Sequence, residues 1–279
     1  MSSPSTASSE PSYIDSPSLN RAARTGKPTE DQQLLESPRP GQALFTHTDP
    51  WRVLRIQSEF VDGFDTLAGL GPAVTLFGSA RVTPQDPMYA QAIEVARLLG
   101  EAGFTIMTGG GPGIMEAGNR GAREAEAQSV GLNIQLPFEQ GINPYVDIGI
   151  EFHYFFVRKT MFVKYAEAFV IFPGGFGTLD ELFEALTLIQ TGKIENFPVI
   201  LFDSRYWAGL IDWVRSTLLA EGKVSAPDLD LLVVTDSPTE VRDIIVRSHQ
   251  DHEWLKKREA RVRDVIREVY ATAVAAPNE

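Results

Sequence analysis

The chain of 279 residues has no cysteine, so disulfides, thiolate metal sites and a cysteine nucleophile are all excluded, and the composition fits a cytoplasmic protein. Cationic residues are in deficit: 25 Lys and Arg stand against 37 Asp and Glu, a formal net charge of −12. A broad nucleic-acid or anionic-membrane footprint needs clustered Lys and Arg, so neither partner is expected, although a few oriented donors can still bind a small anion. No run approaches the ~18 apolar residues of a membrane span, and the N-terminus lacks the apolar stretch of a signal peptide. The four histidines show no metal-ligand spacing and His153, alone upstream of Arg158, reads as structural; no metal is expected. Two familiar phosphate fingerprints are missing as well. Gly-x-Gly-x-x-Gly fails around 109–113, where the third position is Ile114 or Glu116, and no Gly-Lys-Ser/Thr ends a Walker loop. Neither a dinucleotide cofactor nor an ATPase-style triphosphate is signalled, and no cofactor is expected.

What is present begins with Pro173-Gly174-Gly175-Phe176-Gly177-Thr178-Leu179-Asp180-Glu181, between the apolar run Ala168–Phe172 and an amphipathic segment from Leu182. A strand that enters a helix through glycines offers free N–H groups and a helix dipole to an anion. Glu181 is conspicuous there, a carboxylate about one turn into a helix whose start should favour negative ligands. First-turn compensation of the dipole is the ordinary reason for such a Glu.

Around this segment strands and helices alternate. Strands are expected at Ala73–Phe77, Phe104–Met107, Ser129–Leu136, Ala168–Phe172, Phe197–Phe202 and Leu231–Val234. Helices are expected at Trp51–Ala68, Tyr89–Glu101, Ile114–Ala127, Val157–Glu167, Tyr206–Leu219 and from Pro238 onward. This alternation predicts an α/β fold, a Rossmann-like doubly wound parallel sheet flanked by helices, with ligands at the carboxyl ends of the strands. Three glycine-bearing segments, at 78, 109–113 and 174–177, fall at such ends. Residues 1–42, rich in Ser, Pro and charge, are expected to be a disordered tail. Residues 43–279 then form a single nucleotide-binding domain with a core of about 73–246, and 252–273 reads as an amphipathic C-terminal helix.

Gly110-Gly111-Pro112-Gly113-Ile114-Met115-Glu116 and Pro173-Gly174-Gly175-Phe176-Gly177-Thr178-x-x-Glu181, with Arg158-Lys159 between them, closely resemble the Lonely Guy proteins, cytokinin-activating phosphoribohydrolases once labelled lysine decarboxylases. That older label would require a pyridoxal-phosphate lysine and its partners, and nothing in the sequence reads as such a site. The resemblance implies hydrolysis of the N-glycosidic bond of a nucleoside 5'-monophosphate, typically an N6-modified adenine nucleotide, to free base and ribose 5-phosphate. It implies Arg158 and Glu181 as catalytic. It further implies that Gly174, Gly175, Gly177 and Thr178 bind the 5'-phosphate, that Gly111 and Gly113 shape the opposite wall, and that Ser79, Met115, Glu116 and Lys159 line the nucleotide. Relatives assemble so that one subunit completes its neighbour's pocket, which implies a homodimer or a hexamer. Two other readings remain open: a nucleotide or molybdenum-cofactor carrier without hydrolase activity, and a nucleotide-sensing subunit. A carrier has no need of the Arg158 and Glu181 pair.

Overall fold

The computed structural model describes residues 29–35, 49–136, 141–194 and 197–251. Seven parallel strands form one sheet: β1 (Ala73–Phe77), β2 (Thr105–Thr108), β3 (Ser129–Ile134), β4 (Ile148–Phe152), β5 (Ala166–Ile171), β6 (Val199–Phe202) and β7 (Leu232–Thr235), in the order β4-β3-β2-β1-β5-β6-β7. The doubly wound α/β arrangement expected from the alternation is therefore present. The chain lays β1 to β4 in one direction, then returns to place β5 beside β1. The reversal between β1 and β5 is the topological switch point where ligands of such sheets bind.

Six of the strands were expected and β4 was not. Its sequence Ile-Gly-Ile-Glu-Phe buries only Ile150 and Phe152, as befits an edge strand with one wet face, so it lacks the continuous apolar run that marks the interior strands. Interior strands divide their side chains between the two faces. Phe77, Phe169, Ile171, Val199 and Leu201 enter one core, while Val74, Leu76, Ala168, Val170, Phe172, Ile200 and Phe202 enter the other.

On the first face lie α2 (Asp49–Leu67), α5 (Phe155–Tyr165), α6 (Phe176–Gln190) and α7 (Ser204–Trp213); on the second, α3 (Pro87–Glu101), α4 (Ile114–Glu124) and α8 (residues 238–251). Phe77 sits edge-on between Phe162 of α5, at 4.9 Å, and Phe169, at 5.0 Å, which pins α5 against the switch point. α3 begins two residues earlier than its apolar periodicity predicts, because Asp86 accepts the Met88 N–H at 2.8 Å and Pro87 supplies a first-turn φ.

Of the stretch 1–42, residues 29–35 are described, and Glu30–Leu35 form a short helix, α1. A reciprocal cap starts it: the Thr29 N–H reaches Gln32 Oε1 at 3.1 Å and the Gln32 N–H reaches Thr29 Oγ1 at 3.3 Å. The remainder of that stretch and the expected helix at 252–273 lie outside the described residues. No helix among the described residues is long and apolar enough to cross a membrane.

Candidate active site

A cavity of about 740 Å³ opens at the carboxyl ends of β1, β2, β3 and β5, on the switch point. Its wall includes Ser79, Gly111, Met115, Arg158, Gly174, Gly175, Gly177, Thr178 and Glu181, bringing together residues that span more than a hundred positions of sequence. Three of the expected residues do not line it. Gly113 turns with φ of +71°, packed so closely on the preceding loop that a Cβ would lie 2.4 Å from Ser79 O. Glu116 points to α3 and accepts the Tyr89 hydroxyl at 2.7 Å. Lys159 Nζ is held by Asp180 Oδ1 and Glu184 Oε2, each at 3.0 Å.

Glu181, in α6, is 5 % exposed, and its Oε2 has no hydrogen-bond partner among the described residues. Burial raises its pKa to about 7, against the opposing pull of Arg158 and then Lys159. Arg158 stands in the first turns of α5. Burial lowers its pKa to about 10, while Glu181 acts in the other direction. The guanidinium is fixed on three sides: Nε donates to Leu132 O at 2.8 Å, the Phe162 ring lies 5.1 Å beneath, and the backbone of Gly109 packs against its tip. A Cβ on Gly109 would sit 2.6 Å from Arg158 Nη2 and 2.7 Å from Met115 Sδ, so glycine there leaves room for both side chains. The site thus holds an acid that changes charge near neutrality beside a guanidinium that stays charged there.

The loops around this pair are set by bonds to their carbonyls. The Ser79 N–H donates to Pro173 O at 2.9 Å and the Tyr206 hydroxyl to Gly174 O at 2.6 Å. In a trans peptide the following N–H points the opposite way, and no cis bond occurs among the described residues, so the N–H groups of Gly174 and Gly175, both residues of the cavity wall, are turned away from those anchors. α6 begins at Gly175 without a side-chain cap, leaving its first N–H groups to a ligand. Opposite, Asn143 Nδ2 donates to Gly110 O and Gly111 O, each at 3.0 Å, and to Asn119 Oδ1 at 2.9 Å. Asn119 in turn binds Ser129 Oγ at 2.9 Å and accepts the Thr108 hydroxyl at 2.6 Å. This buried, satisfied network holds the second glycine loop by its carbonyls.

Sequence reasoning missed Asn143 and Tyr206. Each reaches its glycine carbonyl across 32 residues of chain, and no local pattern marks such a contact. It also gave no role to Arg81, a cavity-lining cation legible as the residue after Gly78-Ser79-Ala80. Among the described residues the wall contains no lysine, so the residues present do not fit a Schiff-base cofactor.

Residues 115–245 match the family model described as "Possible lysine decarboxylase". The cytokinin riboside 5'-monophosphate phosphoribohydrolase of Mycobacterium tuberculosis is 32 % identical over 159 residues, which cover 54 % of this chain and 84 % of that protein. The pyrimidine/purine nucleotide 5'-monophosphate nucleosidase of Escherichia coli K12 is 31 % identical over 159 residues, 52 % of this chain but 35 % of the relative. Among solved structures, a molybdenum cofactor binding protein from Rippkaea orientalis superposes over 63 % of this chain and 96 % of its own, with a TM-score of 0.45 and 25 % identity. With a relative at this identity covered over most of its length, and with both glycine motifs, Arg158 and Glu181 gathered at the switch point, the chain belongs to the Lonely Guy family.

Proposed function

We propose that this protein hydrolyses the N-glycosidic bond of nucleoside 5'-monophosphates, adenine nucleotides with or without an N6 substituent foremost, releasing free base and ribose 5-phosphate. The observation that carries the reading is the buried Glu181 carboxylate, one oxygen unpartnered and its pKa near neutrality, on the wall of a cavity that the uncapped start of α6 also lines. The names of the relatives support the substrate class, since both act on nucleoside 5'-monophosphates.

The phosphate is received by the N–H groups at the start of α6 and by Thr178. Arg158 grips sugar oxygens bidentately and fixes the ribose against Glu181. As the C1'–N bond breaks, its electron pair leaves with the base, which takes up a proton from solvent, and positive charge develops on the sugar. The Glu181 carboxylate stabilises that charge and takes a proton from the water that bonds to C1'. A base with pKa near the working pH combines a substantial ionised fraction with real proton affinity.

The protein works in the cytoplasm as a homodimer or a hexamer on this reading. Phe176, 92 % exposed on the cavity wall, together with exposed Phe155, also on that wall, forms an apolar lip of the kind a neighbouring subunit covers.

The test is to incubate the purified chain with AMP, its N6-isopentenyl analogue, GMP and CMP and to follow free base by chromatography. Release is expected from the wild type and lost, by three orders of magnitude or so, in Glu181→Ala and Arg158→Ala with nucleotide binding retained in Glu181→Ala. Equal release by wild type and Glu181→Ala would overturn the mechanism, and tight binding without release from any nucleotide would favour the carrier.

A further inference from the structure

The geometry points to Arg81 as the residue that recognises the 5'-phosphate dianion and so makes the site select nucleotides over nucleosides; this rests on the hydrolase reading for its assay but not for its chemistry. A phosphate monoester carries about −1.5 to −2 charges at neutral pH, and backbone amides alone supply only partial positive charge. Among the described residues the cavity wall holds two cations, Arg81 and Arg158. Arg158 is buried beside Glu181, with its Nε given to Leu132 O, so its charge is already opposed by the carboxylate that faces the sugar. Lys159, the other cation of the motif, lies off the wall with Asp180 and Glu184 on its ammonium.

Arg81 differs from both. It is exposed, lines the cavity, and its guanidinium has no hydrogen-bond or ion-pair partner among the described residues. Its place is fixed by the loop rather than by its own charge. The Arg81 N–H donates to Ser79 Oγ at 3.1 Å, and the Ser79 N–H donates to Pro173 O at 2.9 Å, which ties this loop directly to the glycine turn that starts α6. A planar guanidinium two residues from that tie can close bidentately over an anion seated on the Gly174 and Gly175 amides, a geometry an ammonium would reproduce only in part. A nucleoside lacks the anion, gains nothing from Arg81, and binds through base and ribose alone.

The experiment compares full-length wild type, Arg81→Gln and Arg81→Lys. The ratio of kcat/KM for AMP over adenosine is expected to fall on the order of 10- to 100-fold in Arg81→Gln, through loss on AMP with adenosine unchanged, and to recover in part in Arg81→Lys. Calorimetric titration of AMP and of ribose 5-phosphate in a Glu181→Ala background is expected to show the same loss of affinity. Because Arg81 is exposed and unpaired, thermal unfolding of the variants should match the wild type. An unchanged AMP to adenosine ratio, an equal loss on both substrates, or unchanged affinity for ribose 5-phosphate would each overturn the assignment. Should wild type release no base yet bind AMP in an Arg81-dependent way, the hydrolase reading falls and this one stands; base release with undiminished AMP affinity in Arg81→Gln gives the reverse.

Discussion

Ionising Glu181 costs folding free energy, because its pKa in the folded chain lies near 7 against an ordinary value of 4.5 and burial is the dominant cause. The folded protein keeps a proton that the unfolded chain releases across this window, so the group's contribution is whole below pH 4.5 and is lost as pH rises through 7. Glutamine mimics the neutral acid. Glu181→Gln is therefore expected to stabilise the protein at pH 8 by about 1–3 kcal/mol and to change little near pH 5, read as the difference in Tm between the two conditions. A gain over wild type no larger at pH 8 than at pH 5 would show the carboxylate to be better solvated than its surroundings suggest. In the wild type, kcat/KM on AMP should climb with pH and level off with an apparent pKa of about 7, since the reaction needs the ionised form. Gly109 offers a second test at this scale. The atoms an added Cβ would meet are the ends of two flexible side chains, so Gly109→Ala should fold with near-native Tm yet lose activity on the order of 100-fold as the Arg158 guanidinium is displaced.

Helix α5 delivers Arg158, and its N-terminus is capped by other elements. Tyr154 at the cap position makes no side-chain capping bond of its own. Glu59 of α2 instead receives the His153 N–H at 3.0 Å, the Tyr154 N–H at 3.3 Å and His153 Nδ1 at 2.7 Å, while Asp31 of α1 receives the Phe155 N–H at 3.2 Å. Carboxylates satisfy the free N–H groups and sit favourably in the helix dipole. Glu59→Ala should cost about 1–2 kcal/mol in chemical denaturation and lower kcat by loosening the helix that holds Arg158, with Glu59→Gln, which keeps an acceptor, partly restoring both. Activity unchanged in Glu59→Ala would show that α5 is positioned by its packing on Phe77 alone. His153 thus has a structural partner, as its isolation in the sequence suggested.

At the scale of the whole molecule, one sheet edge is a half-wet strand, exposed Phe155 and Phe176 line the cavity, and exposed Val61 and Phe64 lie on α2. Apolar surface so placed is better covered than solvated. Size-exclusion chromatography with light scattering is expected to return a dimer or a larger closed assembly, and a clean monomer at micromolar concentration would remove the proposed contribution of a neighbour to the lip. The net charge of −12 keeps such an assembly soluble and leaves anion binding to the few cationic and amide groups of the site.

Periodicity alone was enough for the α/β class, because interior strands buried on both faces read as continuous apolar runs and the helices between them as amphipathic ones. The two glycine motifs, Arg158 and Glu181 were legible because each is a local pattern at the end of an element. Edge strand β4 was not, since half of its side chains face water. Nor was the division of labour among the cations: whether Lys159, Arg158 or Arg81 is free for a ligand depends on which carboxylates the fold brings beside each, and Asp180, Glu184 and Glu181 reach them only when α6 packs on α5. The depth that moves the Glu181 pKa toward neutrality, and the side chains of Asn143 and Tyr206 that hold the glycine carbonyls, are likewise products of tertiary packing. Desolvation and through-space hydrogen bonds act between residues far apart in the chain, and no local sequence pattern encodes them.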